Sequence, residues 1–112
     1  APVPDAPVSM RRAPAYLLDL IRGEFTLLVL GRRLGEADRR AMTSLGVKVV
    51  CEGAEFEDET GLAASRLGAG HAPAVYLVRP DQYVAARMRD FDRDAIIAAL
   101  QRAGGVGAHV HA

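Results

Sequence analysis

The sequence predicts a single α/β domain built on a small mixed β-sheet. Three observations predict it. Apolar runs of strand length alternate with segments whose apolar residues recur at helical spacing. Their order reads strand, helix, strand, helix, strand, strand, helix. The length, 112 residues, suits one hydrophobic core, which usually takes roughly 100 to 200 residues.

Each element has its own signature. Pro2, Pro4, Pro7 and Pro14 crowd the first 14 residues, a composition that favours an extended, semi-rigid connector over a packed element. Residues 1–14 are therefore expected to be a linker arriving from upstream domains. Tyr16, Leu17, Leu20 and Ile21 recur at helical spacing, and Gly23 stops that short helix. Phe25 to Leu30 is an unbroken apolar run bounded by glycines, as in a strand buried on both faces. Glu36 to Leu45 is predicted helical, with Ala37, Ala41 and Leu45 on one side and Gly46 at its end. Val47 to Cys51 is a second strand, most simply parallel to the first across a right-handed crossover.

Glu52 to Glu59 holds five acids and no base, an exposed loop from which Phe56 packs back. Leu62 to Leu67 gives about two turns of helix. Ala74 to Val78 is a strand, Arg79-Pro80-Asp81-Gln82 is turn chemistry, and Tyr83 to Arg87 alternates as the returning strand of a hairpin. Ala95, Ile96, Ala99, Leu100 and Ala103 form the last amphipathic helix, with Asp92 or Asp94 near its N-terminus. Residues 15–105 make the domain, and the glycine-rich 106–112 is expected to be a flexible tail.

Composition excludes several classes. Fourteen basic residues balance fourteen acidic ones, whereas nucleic-acid and polybasic membrane binders carry a concentrated cationic excess. The charges are also interleaved, Arg32, Arg33, Arg39 and Arg40 with Glu36 and Asp38, and Arg87, Arg89 and Arg93 with Asp90, Asp92 and Asp94, as on solvated faces. A single cysteine rules out an internal disulfide, a dithiol centre and a four-cysteine zinc site. No apolar stretch approaches the roughly 20 residues of a membrane-spanning helix.

The order of elements is that of the thioredoxin fold, and this resemblance implies a four-stranded mixed sheet with helices on both faces. It also implies a cis peptide at Pro73, which stands where that fold has a proline just before its third strand. The redox loop of that fold would fall between the first strand and its crossover helix. There the sequence reads Gly31-Arg32-Arg33-Leu34-Gly35-Glu36, with no sulfur to act as the attacking thiolate. Cys51 ends the second strand and reads as a small buried hydrophobe.

A second resemblance is more specific. The run Val75-Tyr-Leu-Val-Arg-Pro-Asp-Gln-Tyr-Val-Ala-Ala-Arg87, followed by Asp90-Phe-Asp92 and an Ala/Leu-rich helix, is similar to the C-terminal domain of flavin-dependent aromatic hydroxylases of the phenol, hydroxyphenylpropionate and polyketide types. Pro4-Asp-Ala-Pro7, Leu17-Leu-Asp-Leu and Gly23-x-Phe-Thr-Leu-Leu28 match that domain's opening in the same order. The resemblance implies a non-catalytic thioredoxin-like domain whose parent enzyme binds FAD and NAD(P)H in upstream domains and acts in the cytoplasm. It implies packing against those domains or a second subunit, and a structural role for Arg79, Pro80 and Asp81 in the hairpin turn. This chain lacks Gly-x-Gly-x-x-Gly, so it is expected to bind neither flavin nor nicotinamide itself. Two other readings stay open, a free-standing thiol redox or peroxidase protein using Cys51, and a free-standing interaction module.

Remaining candidates are weaker. His109 and His111 sit in the glycine-rich tail, and His71 has no second ligand nearby in sequence. Asp90, Asp92 and Asp94 lack the glycine and glutamate of a calcium loop. No metal site and no nucleic-acid or membrane partner is expected.

Overall fold

The computed structural model describes residues 2–10, 13–58, 61–67 and 73–103. The chain orders as β1 (Pro7–Met10), β2 (Ala13–Tyr16), α1 (Leu17–Leu20), β3 (Thr26–Leu30), α2 (Glu36–Ser44), β4 (Lys48–Cys51), α3 (Leu62–Arg66), β5 (Ala74–Val78), β6 (Val84–Met88) and α4 (Arg93–Arg102). The main sheet has the order β4-β3-β5-β6. Strands β3 and β4 are parallel, with Leu28 opposite Val50, while β5 runs antiparallel to both β3 and β6.

Every residue of β3 and β5 is buried, because both strands lie in the middle of the sheet and are covered on both sides. Strand alternation divides their side chains between two cores. Leu27, Val29, Val75 and Leu77 join Met42 of α2 and Ile96, Ala99 and Leu100 of α4 on one face. Leu28, Leu30, Tyr76 and Val78 join Leu17, Leu20 and Ala63, from α1 and α3, on the other. The arrangement is the mixed four-stranded sheet with helices on both faces that the element order predicts.

The N-terminus differs from expectation. The described residues of this segment pack: β1 pairs antiparallel with β2, Pro7 opposite Tyr16, and Val3, Ala6 and Val8 are buried in the second core. Ser9 and Glu57 exchange backbone hydrogen bonds of 2.9 and 2.7 Å, fastening the strand pair to the acidic loop. The prolines fit because an edge strand facing away from its ladder needs no N–H. Val3, Ala6 and Val8 are thus packed onto the same core as residues after position 15.

The α2 face also shifts. Met42 is fully buried while Ala37 is exposed, and Leu34, just before the helix, joins the same core. Phe56 packs back as expected, only 2% exposed. For α4, Asp92 rather than Asp94 is the cap, its Oδ1 accepting from the Ala95 amide at 3.1 Å. Strand β6 carries an irregularity absent from the pattern: Leu77 faces Ala86 but Val78 faces Val84, so Ala85 is the extra residue of a bulge.

Candidate functional site

The place where a thioredoxin-like domain would carry its redox pair is the turn from β3 into α2. Gly31 makes that turn at φ 75°, a conformation open to glycine at no steric cost. Its amide donates to Glu52 Oε1 at 2.8 Å. The two arginines are engaged structurally, Arg32 with Asp90 and Arg33 Nη2 with the Gly53 carbonyl at 2.8 Å. Leu34 turns into the core. No side chain in the turn can attack a disulfide or a peroxide.

Cys51 lies at the far end of β4, opposite Val29 and fully buried. What surrounds it is a clip that the sequence pattern does not reveal. Glu55 Oε1 accepts from the Cys51 amide at 2.8 Å. Arg39 grips the same carboxylate with two hydrogen bonds, 2.8 Å to Oε1 and 3.2 Å to Oε2. The Cys51 carbonyl accepts from the Ala54 and Glu55 amides at 3.1 and 3.0 Å. Partial burial works to raise the Glu55 pKa, but the Arg39 and Cys51 hydrogen bonds and the guanidinium charge together hold it below the ordinary value. Glu55 in turn raises the Arg39 pKa. The clip saturates the backbone at the outer edge of the sheet at Cys51, whose side chain is fully buried. Sequence reasoning placed Arg39 on a solvated mixed-charge face, since a pair 16 residues apart exists only once β4 lies beside α2.

The Arg79-Pro80-Asp81-Gln82 turn is held by contacts within itself and with the N-terminal segment. Arg79 pairs with Asp81 at 2.6 Å and lies 5.7 Å from the Tyr83 ring centroid. Gln82 closes the turn through its amide on the Arg79 carbonyl at 2.9 Å and adopts φ 68°. Its Nε2 donates to the Leu18 carbonyl at 2.8 Å, and its own carbonyl accepts from the Val3 amide at 2.9 Å. The Pro80 carbonyl accepts from Gly23 at 3.2 Å. The turn is therefore a fastening point for the N-terminal segment and α1. Pro73 is exposed immediately before β5, and its peptide bond to Ala72 lies outside the described residues, as do His71, His109 and His111. Among the described residues no three His, Cys, Asp or Glu side chains converge to hold a metal ion.

Two described cavities have volumes of about 370 and 300 Å³. The β3-to-α2 turn presents arginines tied to neighbouring groups, where a pyrophosphate would need a glycine-rich cradle of free amides.

The fold and these residues find their match in one family: a model of the aromatic-ring hydroxylase C-terminal domain matches residues 1–106. The chain belongs to that family. No curated protein matches its sequence. Among solved structures, this hydroxylase C-terminal domain is similar to aklavinone-11 hydroxylase in its ternary complex with FAD and aklavinone, with a TM-score of 0.71 and 26% identity. The alignment covers 90% of this chain and 20% of that one, so the domain spans about a fifth of the hydroxylase it matches.

Two redox proteins share the fold. A DsbE thiol:disulfide interchange protein from Chlorobium tepidum aligns at TM-score 0.67 and 14% identity, over 93% of this chain and 96% of its own. A thiol peroxidase from Chromobacterium violaceum aligns at 0.62 and 16%, over 93% and 86%. These two likenesses show the thioredoxin-like fold alone. The hydroxylase domain has that fold without the sulfur chemistry of its turn.

Proposed function

We propose that this domain is a non-catalytic part of an FAD- and NAD(P)H-dependent aromatic-ring monooxygenase, and that it packs against the upstream FAD and substrate domains or a neighbouring subunit. Family membership over residues 1–106 carries the reading. The engaged, sulfur-free turn at the redox position supports it, because a domain kept for thiol chemistry needs an accessible thiolate. When bound upstream, the flavin supplies the oxygen-transfer chemistry; nothing in this chain takes part in it. We place the parent enzyme in the cytoplasm, where reduced nicotinamide is supplied. No helix among the described residues is long and apolar enough to cross a membrane.

The test has two arms. The whole polypeptide should oxidise NAD(P)H in the presence of a phenolic substrate and release a hydroxylated ring, while this domain alone should leave FAD fluorescence unchanged. In the native domain Cys51 should resist a thiol reagent until denaturant is added. Rapid labelling of native Cys51, with peroxide or disulfide turnover, would overturn the assignment in favour of a thiol enzyme.

A further inference from the structure

We propose that the outward face of the β1–β2 pair is the surface on which the upstream domains of the parent hydroxylase dock. Register sets Pro7 beside Tyr16 and Ser9 beside Pro14 on one side of the pair, while Val8 and Ala15, on the other side, face the second core. Glu57, bridged to Ser9, extends the outward side by one residue. Pro7, Pro14, Tyr16 and Glu57 are exposed and Ser9 is half-buried.

This face differs in kind from the helical ones. The outward sides of α2 and α4 carry Glu36, Arg40, Asp94 and Arg102, all exposed. Among the five side chains on the strand pair only Glu57, at the margin, is charged. Tyr16, 57% exposed, is the most exposed large hydrophobic side chain among the described residues. An exposed apolar patch with a polar margin marks a protein contact, and a tyrosine gives such a contact a large area while losing the freedom of only two side-chain torsions. The edges of the pair are poor places for an added strand. Pro7 and Pro14 have no N–H to offer one, and the Ser9 amide already donates to the Glu57 carbonyl at 2.9 Å. A partner therefore meets side chains rather than backbone.

The occupant rests on the oxygenase reading above. The domain aligns with 20% of the hydroxylase chain, so most of a parent of that kind is chain outside this domain. As the family is a C-terminal one, that chain enters through residue 1. Pro7 stands six positions later, a reach of at most about 20 Å when fully extended. The connection has little slack even within that reach, because Val3 is buried and its amide donates to the Gln82 carbonyl at 2.9 Å. The upstream body is thus held beside the strand pair, whereas a second subunit has no such tie to it.

The test uses the whole hydroxylase polypeptide, with photoreactive benzoylphenylalanine in place of Tyr16. Irradiation should join position 16 to a peptide upstream of residue 1 in the same chain. Hydroxyl-radical footprinting of the unaltered polypeptide, which needs no substitution, should find Tyr16 protected from oxidation although it is 57% exposed in the domain. A cross-link to a second chain, or a Tyr16 oxidised as readily as a tyrosine in a free peptide, would overturn the proposal. FAD content and phenol turnover, measured on the same sample, separate the surface from the oxygenase reading. Turnover with a freely oxidised Tyr16 sinks the surface alone; a protected, upstream-linked Tyr16 in a polypeptide without flavin sinks the oxygenase reading alone.

Discussion

Glu55 is the residue on which the most local order depends, and its energetics follow from its partners. It accepts from Arg39 and from the Cys51 amide, while its side chain is 36% exposed. Charged hydrogen bonds contribute about 1.5 to 3 kcal/mol when dry, and solvent screening lowers that here. Glu55→Gln should therefore cost about 1 to 2 kcal/mol in urea unfolding at neutral pH. The folded-state pKa of Glu55 is depressed from the ordinary 4.5. Its stabilisation is therefore fully present above that ordinary value and is lost as the pH falls through the lower, folded value. Between pH 7 and pH 3 the unaltered domain should lose more stability than Glu55→Gln, and the two should converge at the acid end. Parallel pH profiles would show that the clip does not stabilise the fold through its charge. The burial of Cys51 was legible from its place in a strand run. The clip on its backbone was not, because an arginine on a helix and a glutamate in an acidic loop carry no mark of their partner.

At the scale of elements, the apolar runs and glycine stops located the central strands and the longer helices, whose cores are built from residues adjacent in sequence. The N-terminal strand pair was hidden, since proline content speaks for extended backbone and extended backbone is equally a linker or an edge strand. Val8 separates these outcomes: it is buried against the second core. Val8→Ala should destabilise the domain by about 1 to 3 kcal/mol, the scale of burying an aliphatic side chain, where a linker position would leave the urea midpoint unchanged.

The turn after β5 makes a finer case. A non-glycine residue in the left-handed region costs about 1 to 2 kcal/mol, while the Gln82 bond to the Leu18 carbonyl returns about 1 kcal/mol. Gln82→Gly removes both and should leave stability within about 1 kcal/mol of the original. Gln82→Val keeps the strain, deepens it through β-branching and loses the bond, so its unfolding midpoint should fall clearly below that of the glycine variant. Beyond this turn the pattern misleads about pairing. A regular hairpin would place Tyr76 opposite Ala86, and only the bulge at Ala85 brings Arg87 across from Tyr76. The contact of Arg87 with the Tyr76 ring was thus invisible in the sequence, although both residues are plain there.

For the whole molecule, the decisive feature is that one sheet serves two cores. Strands β3 and β5 send Leu27, Val29, Val75 and Leu77 into one core and Leu28, Leu30, Tyr76 and Val78 into the other. Neither core can come apart without exposing strand residues that back the other. That division was readable from the unbroken apolar runs, which only make sense in strands covered on both sides. Which helices cover which side was not, because it depends on how the chain crosses the sheet. Substituting Leu27→Ala or Leu28→Ala removes a fully buried side chain from one core only, and each should cost about 2 to 5 kcal/mol. The shared sheet predicts that both variants, and the unaltered domain, unfold in a single transition. Tyrosine near-ultraviolet dichroism, which follows Tyr76 on one face, and amide exchange in α4 on the other should then report the same midpoint. In Leu28→Ala both probes should shift together, even though α4 touches none of the space vacated. A midpoint that moved for Tyr76 and stayed for α4 would mean that the faces unfold independently, and that the sheet is a partition between two cores rather than their common support.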